Sequence, residues 1–184
     1  MDARKSTRVM LVALLRGINV GKAKRVPMAD LRALCESLGY RDVKTLLNSG
    51  NVVFSAPRTD ARAAAKIQKG IAEQIGVSCR VIVLTRDELD TVIAENPFSE
   101  SETNPSRFLV TVLATDTDRA RIDALTKEEW GAERIGAGTH AAYLWCPNGI
   151  LDSRIVTAIA KQLGDSATSR NWATMKKLQV LASA

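Results

Sequence analysis

The order in which apolar runs and helical stripes follow one another between Val9 and Leu84 constrains this chain most. "RVMLVALL", residues 8–15, is apolar enough to be a central strand buried on both faces. Pro27 then opens a helix with Met28, Leu31, Leu34 and Leu38 on one face, and Gly39 ends it. "VKTLLNSGNVVFSA" reads as two strands joined at Ser49–Gly50, where glycine supplies the positive φ of a tight turn. A second helix runs from about Asp60 to Ile75, striped by Ile67, Ile71 and Ile75 and stopped by Gly76, and "CRVIVL" is the next strand. The order β-α-β-β-α-β is that of the split βαβ, or ferredoxin-like, unit.

The pattern then repeats. Thr85, Arg86, Asp87 and Glu88 read as a capping box that starts a short helix ending before Asn96–Pro97. "RFLVTVLA" is a strand, residues 117–129 a helix, and "AERIGAGTHAAYLWC" a hairpin through Gly136 and Gly138. Asp152 or Ser153 caps a helix carrying Ile155, Ile159 and Leu163, and "DSATS" occupies the slot of a fourth strand. The last helix is placed at Arg170–Ala182, with Trp172, Met175 and Leu178 inward. The expected fold is α+β, a tandem of two ferredoxin-like units, each with an added helix. The expected division is a first unit over residues 1–96, a linker over 97–106 that holds two prolines, and a second unit over 107–184.

The chain has 184 residues, with 46% apolar and 25% charged residues, so it can build a core without staples. Its start, "MDARKSTRVMLVALL", mimics a signal peptide, but Arg16 closes the apolar run after seven residues, Val9–Leu15. A cytoplasmic location is expected; no segment can span a membrane, and no membrane partner is expected. Cys35, Cys79 and Cys146 lie far apart with His140 as the single histidine, so neither a disulfide nor a metal site is expected. The formal charge is +6, and residues 1–25 carry Arg4, Lys5, Arg8, Arg16, Lys22, Lys24 and Arg25 against Asp2 alone. Such a bias attracts phosphates or nucleic acid, or simply keeps a surface solvated.

Topology says where the polar loop residues gather. In a split βαβ unit the third strand inserts between the first two, antiparallel to both. Arg16-Gly17-Ile18-Asn19 and Asn48-Ser49-Gly50-Asn51 should therefore share one end of the sheet. Exposed amides at Gly17, Gly21 and Gly50 beside cations would form an anion-binding concavity. Equally, Asn19, Ser49 and Asn51 could satisfy only loop backbone groups. In "TSRNWATMKK", Ser169 can cap the last helix, leaving Arg170 and Asn171 in its first turn, where free N–H groups attract anions. Trp172 is either core or a stacking wall.

"ALLRGINVG", "VPMADLRALCESLGY", "SGNVVFS", "NPF" and "SRNWATMKKL" together resemble the bacterial family known as domain of unknown function 1697. The resemblance covers nearly the whole chain and implies a tandem of ferredoxin-like units, with no established reaction or cofactor. Its N-terminal motif carries onto Arg16, Gly17, Asn19 and Gly21, and its hairpin motif onto Ser49, Gly50 and Asn51. Its C-terminal motif carries onto Arg170, Asn171, Trp172 and Thr174. The family's loop commonly has a second glycine where this chain has Lys22.

The function expected first is binding of a phosphorylated or other anionic ligand, such as a nucleotide or nucleic acid, at a loop site between the two units. Arg16, Lys22, Lys24 and Arg170 would supply charge; Asn19, Ser49, Asn51 and loop amides would orient the ligand. Asn171 and Trp172 complete the expected set. "GINVGK" has neither P-loop nor dinucleotide spacing, and one strand aromatic, Phe54, is too few for a base-stacking platform. The alternatives are an enzyme acting on a phosphate-bearing small molecule, for which no general base or activated nucleophile is evident, and a regulatory or protein-interaction module.

Overall fold

A computed structural model describes residues 7–21, 24–58 and 60–184. Two four-stranded antiparallel sheets are each packed with helices, an α+β fold. By contacts the chain forms two compact units, Met1–Arg86 with Val180–Ala184, and Asp87–Gln179.

In the first unit β1 (Arg8–Leu15), α1 (Met28–Ser37), β2 (Arg41–Leu46), β3 (Asn51–Pro57), α2 (Ala63–Gly70) and β4 (Val81–Thr85) follow in order. The strands lie as β2-β3-β1-β4, so β3 is inserted between β1 and β2 and antiparallel to both. Alternation along β1 sends Leu11, Ala13 and Leu15 toward α1 and α2, where they meet Leu31, Leu34, Cys35, Ile67 and Ile71. Val12 and Leu14 on the opposite face are also fully buried, as befits a central strand. Each large aliphatic removed from water contributes roughly 1.5–3 kcal/mol, so this layer stabilises the unit most. After α2, residues 71–75 continue as a widened π turn, which Gly76 ends at φ 74°.

The second unit repeats the strand order. Helices α3 (Arg86–Ala94) and α4 (Glu100–Thr103) precede β5 (Phe108–Leu113) and α5 (Asp116–Leu125). Then come β6 (Arg134–Ala137), β7 (Ala141–Trp145), α6 (Arg154–Leu163), β8 (Ala167–Asn171) and α7 (Trp172–Ser183). The sheet order is β6-β7-β5-β8. One face carries Leu109, Leu113, Ala142 and Leu144 against Ile122, Leu125, Ile155, Ile159 and Leu163.

The units differ most in one connection. From β5 to α5 the chain needs only Ala114 and Thr115, and Thr115 caps the helix in a capping box with Asp118. From β1 to α1 it spends residues 16–27. The extra chain is not demanded by the topology, which the second unit satisfies without it.

Two segments differ from the sequence reading. Residues 97–106, read as a linker from their prolines, hold α4 and the start of a 3-10 turn at Pro105–Arg107, and Ser101 within them is buried. The division of the chain falls earlier, after Arg86, and α3 is fixed within the second unit, where the Tyr143 hydroxyl donates to the Val92 carbonyl at 2.7 Å. The last strand also runs farther than "DSATS". It takes in Arg170 and Asn171, which pair with Val110 and Leu109, and α7 begins only at Trp172.

Candidate functional site

At the C-terminal end of β1 three stretches of chain converge. The Leu15 N–H donates to the Gly50 carbonyl at 2.8 Å, and the Arg16 N–H to the Arg80 carbonyl at 2.9 Å. The loop after β1, the turn after β2 and the lead-in to β4 therefore lie together. The expectation that segments 16–19 and 48–51 share one end of the sheet agrees with this register, in which Leu14 faces Asn51.

Asn19 ties the site together. Its amide Nδ2 donates to the Val26 carbonyl at 2.9 Å and to the Asn48 carbonyl at 2.7 Å, and its Oδ1 accepts from the Val26 N–H at 2.9 Å. Its own N–H donates to the Lys24 carbonyl at 3.0 Å, so the ends of the 19–26 segment are pinned together. The backbone at Asn19 is left-handed, φ 55°, which asparagine tolerates better than most residues. Asn51, fully buried, donates from Nδ2 to the Leu46 carbonyl at 2.7 Å and to Ser49 Oγ at 3.0 Å. Asn19 and Asn51 thus build the loop and the turn, and their amides act on backbone and neighbours.

Gly50 is needed twice over. Its φ is 79°, and a Cβ there would lie 2.8 Å from Leu15 Cβ and 2.6 Å from Ile18 Cδ1. Gly17, at φ 62°, faces open space instead, so there only the backbone asks for glycine.

The three stretches carry charge of one sign. Residues 7–29, 43–58 and 76–86 contain no aspartate or glutamate. Arg16 sits half-buried at the strand end, while Lys24, Arg25 and Arg80 are exposed, and these last three form no ion pair with the described residues. The main-chain N–H groups of Gly17, Val20 and Gly21, all on exposed residues, likewise make no hydrogen bond to the described residues. Lys22 lies outside the described residues. Arg80 was missed by sequence reasoning because its stretch has no motif; only the register of Leu15 against Val81 brings it here.

Asp30 sits in the first turn of α1, and Asp42 accepts the Ser55 hydroxyl at 2.9 Å. All three cysteines are buried free thiols. Burial pushes the Cys35 thiol up to about 12, and it raises Cys79 too, although Lys24 acts in the opposite sense there. Neither is poised as a thiolate. Among the described residues no three His, Cys, Asp or Glu side chains are grouped to hold a metal, and no helix is long and apolar enough to cross a membrane.

The C-terminal motif takes a different place from the expected one. Arg170 is a strand residue, not the first turn of a helix. It is buried, its Nη1 donates to Thr168 Oγ1 at 3.0 Å and to the Ser169 carbonyl at 2.8 Å, and burial pulls its pKa down to about 10. Asn171, rather than Ser169, caps α7, its Oδ1 accepting from the Thr174 N–H at 2.9 Å. Ser169 instead pairs across the sheet with the Thr111 hydroxyl at 2.8 Å. Trp172 is core: its ring meets Phe108 edge-on at 5.8 Å, and Nε1 donates to Glu102 Oε1 at 2.9 Å.

A family model for a protein of unknown function, DUF1697, matches residues 9–143. The chain belongs to the DUF1697 family. The matched stretch contains the whole convergence of loop, turn and β4 lead-in, and it stops before β8. Among solved structures, a conserved bacterial protein from Streptococcus pneumoniae is similar, with a TM-score of 0.79 at 21% identity, covering 96% of this chain and 99% of its own. That likeness shows that the two chains share a fold. No curated protein matches the chain.

Proposed function

We propose that this protein binds a phosphorylated or otherwise anionic ligand at the end of the first sheet, between the 16–26 loop and the 47–50 turn. The observation that carries the reading is the sign of the charge. Three converging stretches supply Arg16, Lys24, Arg25 and Arg80 without one carboxylate, around exposed N–H groups held in place by Asn19. Cations and oriented amides together suit a group with several acceptor oxygens. The length of the loop supports the same reading, since the second unit links the equivalent strand and helix through two residues, Ala114 and Thr115.

Binding is favoured over catalysis because the three stretches hold no aspartate, glutamate or histidine, and burial raises the thiol among them, Cys79. Base-stacking recognition of single-stranded nucleic acid is disfavoured, since Phe54, the aromatic of the three stretches, is fully buried. The test is thermal denaturation in inorganic phosphate, pyrophosphate and AMP at low ionic strength, beside chloride of equal ionic strength. We expect at least one phosphate compound to raise the midpoint, and the combined variant Lys24→Ala, Arg25→Ala, Arg80→Ala to lose that rise. A rise that survives in the triple variant, or none for any compound, would refute the site.

A further inference from the structure

We infer that this same end of the first unit docks on the surface of an anionic phospholipid bilayer, with Val20 and Leu47 as the apolar contacts. The inference rests on the anion-binding reading above and names the carrier of the phosphate.

Among the described residues the large exposed apolar side chains are Val20, Leu47, Leu151 and Val180, and Val20 and Leu47 are 72% and 52% exposed. Single exposed aliphatics are ordinary. These two are not scattered. Val20 follows Asn19 and Leu47 precedes Asn48, and the Asn19 amide donates to the Asn48 carbonyl at 2.7 Å. Two segments distant in sequence are therefore joined by one hydrogen bond, with an exposed aliphatic residue next to each of its partners.

Leu47 is unfavourable on two counts. Its side chain faces water, and its backbone is left-handed at φ 59°, a conformation suited to glycine or asparagine in a turn. Folding alone would be better served by either of those residues. A local conformation that opposes the residue occupying it points to use of the side chain.

The surroundings select the partner. Lys24, Arg25 and Arg80 are exposed and form no ion pair with the described residues, and the three stretches hold no carboxylate that an anionic surface would repel. Exposed aliphatics on the same converging stretches as exposed cations match a bilayer of acidic lipids, where the side chains would enter the acyl boundary and the cations meet headgroup phosphates. A nucleic acid would have no use for exposed Leu47 and Val20 and would lack an aromatic on which to stack.

The test is co-sedimentation of the full chain with vesicles of phosphatidylglycerol and phosphatidylcholine mixed equally, and with phosphatidylcholine alone. The variants are Val20→Ser with Leu47→Asn, and the triple cation variant. We expect the unmodified protein to bind the acidic vesicles at least tenfold more tightly than the neutral ones. The Val20→Ser, Leu47→Asn variant should lose at least tenfold on acidic vesicles while keeping its thermal rise with phosphate compounds. That combination separates docking from anion binding, and Leu47→Asn relieves backbone strain, so loss of fold cannot mimic the result. Equal vesicle binding by this variant overturns the inference, and so does absence of vesicle binding with the phosphate rise intact. Binding of poly(U) in place of vesicles, or self-association abolished by the same two substitutions, also overturns it. Loss of both vesicle binding and the phosphate rise in the unmodified protein refutes the two readings together.

Discussion

Replacing Gly50 by alanine measures how tightly the turn is locked against β1, and Gly17→Ala provides the comparison. Both glycines hold positive φ, 79° and 62°, so each substitution places an L residue in the left-handed region at about 1–2 kcal/mol. There the resemblance ends. At Gly17 the new methyl meets nothing within 4 Å, whereas at Gly50 it falls 2.6 Å from Ile18 Cδ1 and 2.8 Å from Leu15 Cβ. Ile18 can rotate away, but the Leu15 Cβ is fixed to a central strand and moves only with it. Overpacking of this kind costs about 1–3 kcal/mol, which brings Gly50→Ala to roughly 2–5 kcal/mol in all. With a urea slope of about 2 kcal/mol/M, the midpoint should fall by roughly 1–2.5 M, against about 0.5–1 M for Gly17→Ala. Trp130, Trp145 and Trp172 all lie in the second unit, so indole fluorescence is the wrong probe. Far-ultraviolet circular dichroism, with hydrogen exchange at β1 and β3 amides, reads the unit concerned. A loss at Gly50 no greater than at Gly17 would show that the close approach to Leu15 carries no energy, and the reasoning would fail.

Three further outcomes follow from the same coordinates. Leu47→Asn should stabilise the first unit by about 1 kcal/mol, because asparagine accepts the left-handed backbone better than leucine; a destabilised variant in urea titration would contradict the strain assigned to φ 59°. Trp172→Ala should cost the second unit about 3–5 kcal/mol by thermal denaturation, since it empties a buried site and strands Glu102; a loss below about 1 kcal/mol would place Trp172 outside the core. Burial raises the Cys35 thiol from 9.0 to about 12, so the folded state holds that proton more tightly than the unfolded state. Its contribution is therefore complete below about pH 9 and is lost as pH rises toward 12, and Cys35→Ala should flatten the fall of stability with pH over that window.

Much of this architecture is written in local pattern. The unbroken apolar run of β1 announces a strand buried on both faces, and the stripe Leu31, Leu34 with Cys35 fixes which side of α1 faces the sheet. The convergence of the 16–19 and 48–51 segments follows from strand order alone. The end of the chain misleads because its signals are polar. Ala167-Thr168-Ser169-Arg170-Asn171 has no alternating aliphatics, and Ser169 is as good a helix cap as Asn171 by type. The structure chooses Asn171 because Ser169 is committed to Thr111 across the sheet. Arg80, Val20 and Leu47 carry no local signal either, since their significance lies in register and in one long-range bond from Asn19. The roles of Asn19 and Asn51 could not be told from composition, because the same amide suits a ligand or a carbonyl equally well.

The contrast between the two strand-to-helix connections makes the protein its own loop-deletion control. Residues 114–115 show that two residues suffice to bridge a strand and helix in this order, so most of the 16–27 excursion is chain beyond what the sheet requires. It is anchored to the core by the buried Ile18 and Val26 and stapled at its neck by Asn19, so only the part between these anchors is free of the scaffold. The stretch between Asn19 and Val26 can therefore be varied while Ile18, Val26 and the strands beneath keep their packing. Transplanting residues 16–27 between β5 and α5 would turn that idea into a protein with two such loops.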